Sequence, residues 1–267
     1  MTTPPIKPLK VSVDPAEFAG KVALVTAAAG QGIGQAIARR LAAGGATVVV
    51  TDIHAKRTEA VTAAIAADYP DVTVVGFRMD AGDRSHIDFV VDEVTAKVGP
   101  VTILVNNAAV NVVGGIWDYD PDNWDWAVRV NLSGPWYLCR RTMPIMRDVG
   151  GGVILNIGSY APDVGGQGIE APYASTKGGL AALTRGLAHE GGPYGIRALF
   201  VSMGVVKGTK FVDDHWELLS SQLRPSPLGD RPDTSDIAEA VAFLASERSR
   251  MITGEILNIA AGDYMRS

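Results

Sequence analysis

Seven short apolar runs, each separated from the next by a stretch of helical pattern, constrain this 267-residue chain more than any other feature. They fall at 22–26, 47–51, 72–77, 101–105, 152–157, 196–201 and 256–259. Most are unbroken in Val, Ile and Leu, the pattern of strands covered on both faces. Helices are predicted near 33–43, 55–67, 83–98, 121–148, 173–190, 209–222 and 235–246, with Asp120-Pro121 and Ser235-Asp236 as helix starts. The alternation implies an α/β chain: a doubly wound, seven-stranded, mainly parallel sheet between two helix layers, joined by right-handed crossovers. Residues 1–17, with Pro4, Pro5, Pro8 and Pro15, read as an extended arm, because proline removes ladder donors. No linker or repeat divides 18–267, which reads as one domain. In such sheets ligands lie beyond the carboxyl ends of the strands, where the strand order switches. The loops after residues 26, 51, 78, 105, 157 and 201 are therefore the ones to inspect.

Composition removes several alternatives. One cysteine, Cys139, excludes an intramolecular disulfide and Cys/His zinc sites, and a reducing cytoplasm is the expected compartment. No metal site is expected. A net charge of −5 lacks the basic surface that nucleic acid or anionic lipid requires. No 18-residue apolar run offers a membrane span, and the first residues lack the apolar core of a signal peptide. Glycine is in excess, with 30 residues, and much of it follows strands, where backbone can approach a ligand.

The first strand runs into Thr26-Ala27-Ala28-Ala29-Gly30-Gln31-Gly32-Ile33-Gly34 and then a helix. Small residues at a strand-to-helix turn let backbone amides and the positive helix end approach a pyrophosphate. Asp52, followed by Ile53, closes the second strand. A carboxylate there accepts both hydroxyls of an adenosine ribose and repels a 2′-phosphate, so NAD is expected over NADP. The nearby His54, Lys56 and Arg57 soften that preference or simply begin a solvated helix.

Four further pieces follow in order: Asn106-Asn107-Ala108-Ala109 ending the fourth strand, Asn131 in the next helix, Ser159 ending the fifth strand, and Tyr173-Ala174-Ser175-Thr176-Lys177 opening another helix. Tyr173 and Lys177, at i and i+4, share one helix face. A free tyrosine titrates near 10, and an adjacent ammonium favours its phenolate, bringing it towards a working range. Each piece alone also suits a surface pair, a strand-end serine or a capping asparagine; their order at one sheet edge does not.

Together these motifs resemble the short-chain dehydrogenase/reductase family from about residue 18 to the end. The resemblance implies a Rossmann-type fold with Tyr173 as general acid/base and Lys177 lowering its pKa while binding the nicotinamide ribose. It implies that Ser159 orients the substrate oxygen and that Asn131 holds a water linking Lys177 to solvent. Asp80-Ala81 should contact adenine and Asn107 should line the cofactor, while Gln31, Ile33 and Val206 flank its pyrophosphate and nicotinamide. A homotetramer is implied, through the helices at 121–148 and 173–190 and the last strand. The sequence departs from the family pattern in three places. The glycine turn has one extra residue and an alanine, Ala27 or Ala28, for its first glycine. Asn-Asn-Ala-Gly reads Asn-Asn-Ala-Ala, and the Pro-Gly after the sixth strand reads Met203-Gly204, with its threonine displaced to Thr209.

The substrate loop implied by the family runs from Val205 to about Arg231 and carries Phe211, Trp216, Leu218 and Leu219; Trp117 and Tyr119 follow the fourth strand. An apolar pocket fits a hydrophobic secondary alcohol or its ketone, although each aromatic also suits a lid or subunit contact. Three functions stay open: an NAD-dependent dehydrogenase of such an alcohol, a reductase of 3-oxoacyl thioesters on a carrier protein or CoA, and a non-catalytic NAD-binding sensor.

Overall fold

The computed structural model describes residues 12–220 and 224–266, apart from the side chain of Leu218. Pro4, Pro5 and Pro8 of the expected arm, and the end of the helix expected at 209–222, lie outside the described residues. The strands are β1 (Val22–Val25), β2 (Thr47–Asp52), β3 (Val74–Arg78), β4 (Val101–Asn106), β5 (Gly152–Ile157), β6 (Ile196–Met203) and β7 (Ile256–Ile259). They form one sheet in the order β3-β2-β1-β4-β5-β6-β7, and every pairing is parallel. The order reverses between β1 and β4, which opens the crevice where such sheets bind ligands.

The helices are α1 (Ile33–Ala43), α2 (Ala55–Asp68), α3 (Arg84–Lys97), α4 (Pro121–Val128), α5 (Gly134–Asp148), α6 (Ala171–Gly191), α7 (Lys210–Asp214), α8 (Trp216–Ser220) and α9 (Thr234–Ala245). On one sheet face Ile37 and Leu41 of α1 and Ile237 and Val241 of α9 pack against Val25, Val50 and Val105. On the other, Val90 and Val94 of α3, Leu138 of α5 and Leu187 of α6 cover Leu24, Leu104 and Ile154. Burial on both faces explains the unbroken apolar strands.

Four local differences from the sequence reading have physical causes. Residues 15–17, expected to be extended, are wound with 18–20 in turns, Phe18 is buried, and Glu17 pairs with Arg40 and Arg248. The helix expected over 121–148 is two helices joined by a π-helical turn, Arg129–Ser133. Pro135 lacks the N–H that would bond the Asn131 carbonyl in an α-helix, so the ladder changes register there. The expected 209–222 helix divides into α7 and α8 at His215. Finally, α9 is capped by Asp233 rather than Ser235, with Asp233 and Asp236 exchanging side-chain and backbone hydrogen bonds.

Candidate active site

At the end of β1 the chain turns sharply through Ala27, whose φ of 50° lies in the left-handed region. Glycine occupies such positions without strain, so Ala27 rather than Ala28 stands where the family pattern has its first glycine. The turn is held from β4: Asn107 donates through Nδ2 to the carbonyls of Thr26 (2.9 Å) and Ala27 (3.2 Å). Thr26 Oγ1 accepts from the amides of Asn107 (2.9 Å) and Ala108 (2.8 Å). Gly34 is required by this packing, since a Cβ there would sit 2.5 Å from both the Ala27 oxygen and Asn107 Nδ2. Above Gly30 and Gly32, by contrast, a Cβ would meet nothing. Gly32 caps α1 with no side chain bonded to its first amides, and no acidic residue lies in the first turn. Open glycines over free helix amides fit the pyrophosphate of a dinucleotide.

Asp52 is buried at the end of β2. Its carboxylate accepts from the amides of Ala29 (3.4 Å) and His54 (3.0 Å) and from Arg57 Nη2 (3.3 Å). Ile53 is exposed beside it, an apolar surface suited to a purine face, and its carbonyl takes Arg78 Nε. At the end of β3, Asp80 Oδ1 accepts from the Gly82 amide at 2.8 Å, and Ala81 is buried. Gln31 is exposed on the turn. These residues form a strip along the ends of β1, β2 and β3.

Across the switch point a cavity of about 270 Å³ brings together Ile33, Asn107, Ser159, Tyr173, Lys177 and Val206. Helix α6 starts so that Tyr173 and Lys177 face it from successive turns. Lys177 is buried, donates to the Ile157 carbonyl at 2.7 Å, and carries its ammonium 5.6 Å from the centre of the Tyr173 ring. Ser159 Oγ accepts from the Ala161 amide at 3.0 Å and stands within hydrogen-bonding reach of the Tyr173 phenol. Asn131 stands behind the cavity wall rather than in it. It exchanges two 2.8 Å hydrogen bonds with the Val110 backbone and donates to Thr176 Oγ1 at 3.1 Å.

The titration behaviour departs from expectation. Burial, and then the Glu170 carboxylate, push the Tyr173 phenol up from its ordinary value, with Ser159 opposing them. Lys177 is not among the groups that shift the phenol, and burial lowers its own ammonium, to about 8.

Several contributors carried little signal in the sequence. Thr26 was visible only as part of the glycine turn. Arg57, one of three nearby basic residues in the sequence, is singled out only when α2 places it against Asp52. Glu170 and Asn111, joined at 2.6 Å in the cavity wall, belong to no motif. Among the described residues no group of three or more His, Cys, Asp or Glu could hold a metal, and no helix is long and apolar enough to cross a membrane.

A doubly wound parallel sheet with a Ser-Tyr-Lys cluster at its switch point defines an oxidoreductase of CH–OH groups that uses a nicotinamide cofactor. A family model described as Enoyl-(Acyl carrier protein) reductase matches residues 27–263. The chain belongs to the short-chain dehydrogenase/reductase family. It is 34% identical over 250 residues to the 3-oxoacyl-[acyl-carrier-protein] reductase of Escherichia coli, covering 93% of this chain and 99% of the relative. It is 35% identical over 246 residues to the D-threitol dehydrogenase of Mycolicibacterium smegmatis, covering 91% and 92%. L-sorbose reductase from Gluconobacter frateurii, solved with NADPH and L-sorbose, superposes with a TM-score of 0.87 at 25% identity, covering 96% of this chain and all of that one.

Proposed function

We propose that the protein is an NAD-dependent oxidoreductase that interconverts a secondary alcohol and its ketone. The observation that carries this reading is the convergence of Ser159, Tyr173 and Lys177 in one cavity with Ile33, Asn107 and Val206. A bound nicotinamide supplies the two-electron acceptor for the carbinol hydrogen. The chain's part is to move the other proton. As phenolate, Tyr173 would take it from the alcohol oxygen during oxidation, becoming the phenol that returns it during reduction, while Ser159 hydrogen-bonds the same oxygen and fixes its distance from the phenol. Lys177 binds the ribose beside the phenol and, when charged, favours the phenolate. Asn131 fixes the Val110 loop against α6, and its carbonyl, without an α-helical donor, suits a water that connects Lys177 to solvent.

The cofactor would lie along the strip already described, with its pyrophosphate over Gly30, Gln31, Gly32, Ile33 and Gly34. Asp52 and Ile53 would receive the adenosine ribose and ring edge, Asp80 and Ala81 the adenine, and Asn107 and Val206 the nicotinamide half. Buried Asp52 supports NAD, because a 2′-phosphate would meet its charge.

A second reading, reduction of 3-oxoacyl thioesters, is favoured by the Escherichia coli relative and by Arg57 and Arg78, two cations near Asp52 that suit the 2′-phosphate of NADP. The presence of both Tyr173 and Lys177 disfavours a non-catalytic sensor. A panel of secondary alcohols and 3-oxoacyl thioesters, assayed with each cofactor at the nicotinamide absorbance, separates the readings. Oxidation of alcohols with NAD supports ours, and turnover confined to thioesters with NADPH overturns it.

Assembly as a homotetramer is part of the same proposal, supported by exposed Trp124, Trp126 and Trp136 on α4 and α5. Light scattering that shows a stable monomer at micromolar concentration would count against it. The single, buried Cys139 supports a reducing compartment, the cytoplasm.

A further inference from the structure

Glu170 occupies an unusual place. It is the residue before α6, where a short side chain ordinarily caps the first amides, yet its carboxylate makes no capping bond. It turns instead into the wall of the cavity that contains Ser159 and Tyr173, where Asn111 Nδ2 donates to Oε1 at 2.6 Å. Burial raises its pKa, with Asn111 and His215 opposing. Among the described residues no donor reaches its other oxygen, and Asn111 Oδ1 is buried without a partner. The pair therefore holds more acceptors than donors against walls of Val110, Val164, Phe211 and Leu219. The second Glu170 oxygen, with no protein donor among the described residues, is left to accept from water or from a donor on a bound ligand.

We infer that Glu170 is a specificity-determining residue that accepts a hydrogen bond from a second hydroxyl of the substrate, next to the carbinol being oxidised. The ligand class is a neutral vicinal diol with an apolar body, or the corresponding hydroxyketone. Charge narrows the choice from both sides. An anionic substituent would meet Glu170, and a cationic one would meet Lys177 in the same cavity. A thioester carbonyl, an acceptor, would face the lone pairs of Glu170 and leave both groups unsatisfied. The apolar walls take the remainder of the substrate.

This inference rests on the oxidoreductase reading above, so its test uses ratios of substrates and a binding arm. The full chain is assayed with 1-phenylethanol, phenylethane-1,2-diol and mandelate, using both NAD and NADP. Native protein should show kcat/KM about ten- to a hundredfold higher for the diol than for the monoalcohol, the worth of a hydrogen bond to a charged group. Mandelate should be the poorest of the three. In Glu170→Ala the diol advantage should fall to near one. In Glu170→Gln, which keeps a carbonyl acceptor, it should survive in part, and mandelate should improve. Because each ratio is taken within one preparation, loss of folded protein cancels. Calorimetric titration with the same alcohols should give the same order of affinity. A native protein that treats the diol no better than the monoalcohol, or a ratio unchanged in Glu170→Ala, overturns the assignment. Absence of turnover with all three alcohols would instead tell against the oxidoreductase reading, and the order of binding would still decide Glu170.

Discussion

The two ends of the cavity are built by opposite means. At the nucleotide edge the shape is held by backbone and by buried polar side chains bonded to it: Thr26 and Asn107 clamp the turn, and Gly34 admits the clamp. At the substrate wall it is held by side chains borne on loops and short helical segments. Gln167 sits at a φ of 51° between left-handed glycines, Glu170 reaches Asn111, and Tyr160 stacks on Tyr264 with ring centres 4.9 Å apart. Phe211 stacks on His215 where α7 gives way to α8. Substitutions at the first end should therefore cost stability and cofactor affinity together, whereas those at the second should change selectivity with little loss of fold.

The largest expected effect lies where the two ends meet. Tyr173→Phe keeps the ring and its packing but removes the oxygen that exchanges the proton. Turnover should fall by about 10²–10⁴, while the dissociation constant of the cofactor, measured by nicotinamide fluorescence, changes little. Near-normal turnover in this variant would remove Tyr173 from the chemistry.

Lys177 offers a test of the same junction through stability. Its folded pKa of about 8 lies below the ordinary 10.5. Between those values the unfolded chain holds a proton that the folded chain has released. Stability therefore rises with pH through this window, and below it the native protein bears the cost of a buried charge. Lys177→Met has no such charge, although it leaves the Ile157 carbonyl without its donor at every pH. The melting temperature of the variant relative to the native protein should thus be highest at pH 7 and decline towards pH 9.5. A difference that stays constant across that range would show that Lys177 titrates normally.

The contrast also explains what could be read in advance. Continuous apolar strands, the glycine turn, Asp52 and the Tyr173/Lys177 spacing are local patterns, and the structure places them at one sheet edge because parallel topology leaves little choice. The π-helical turn before α5 was not foreseen, although its cause, Pro135, stands in the sequence. The Glu170–Asn111 pair spans 59 residues and follows no period, so only the fold reveals it. The upward shift of Tyr173 differs from the sequence expectation for the same reason. Helical spacing puts an ammonium nearby, but it cannot report that both groups are buried or that Glu170 stands close.

Asn107→Ala tests whether the nucleotide edge is a clamp. It removes two donors from the Thr26 and Ala27 carbonyls while leaving the backbone bonds to Thr26 Oγ1 in place. Unsatisfied, partly buried carbonyls cost about 1–3 kcal/mol, and in a domain of this size each kcal/mol lowers Tm by about 2–4 °C. Cofactor affinity should weaken in parallel, because the turn would lose its fixed approach to the pyrophosphate. A variant with native Tm and weakened affinity would mean that Asn107 touches the cofactor without shaping the turn.

The smallest effect concerns Arg57, and it bears on the cofactor directly. Its guanidinium is about half exposed and lies 3.3 Å from an Asp52 oxygen. An exposed ion pair contributes little to stability, so Arg57→Ala should leave Tm almost unchanged. Its electrostatic role is different: a cation beside Asp52 partly neutralises the carboxylate and offers a partner to a 2′-phosphate. Removing it should strengthen the discrimination against NADP by a few-fold, measured as the ratio of kcat/KM with the two cofactors. Asp52→Ala should move the same ratio the other way, and further, because the buried carboxylate rather than the half-exposed cation would face the phosphate. If Arg57→Ala leaves the ratio unchanged, Arg57 is a solvated helix residue. If both variants lower NADP use, the strand end binds the 2′-phosphate and the preference for NAD is wrong.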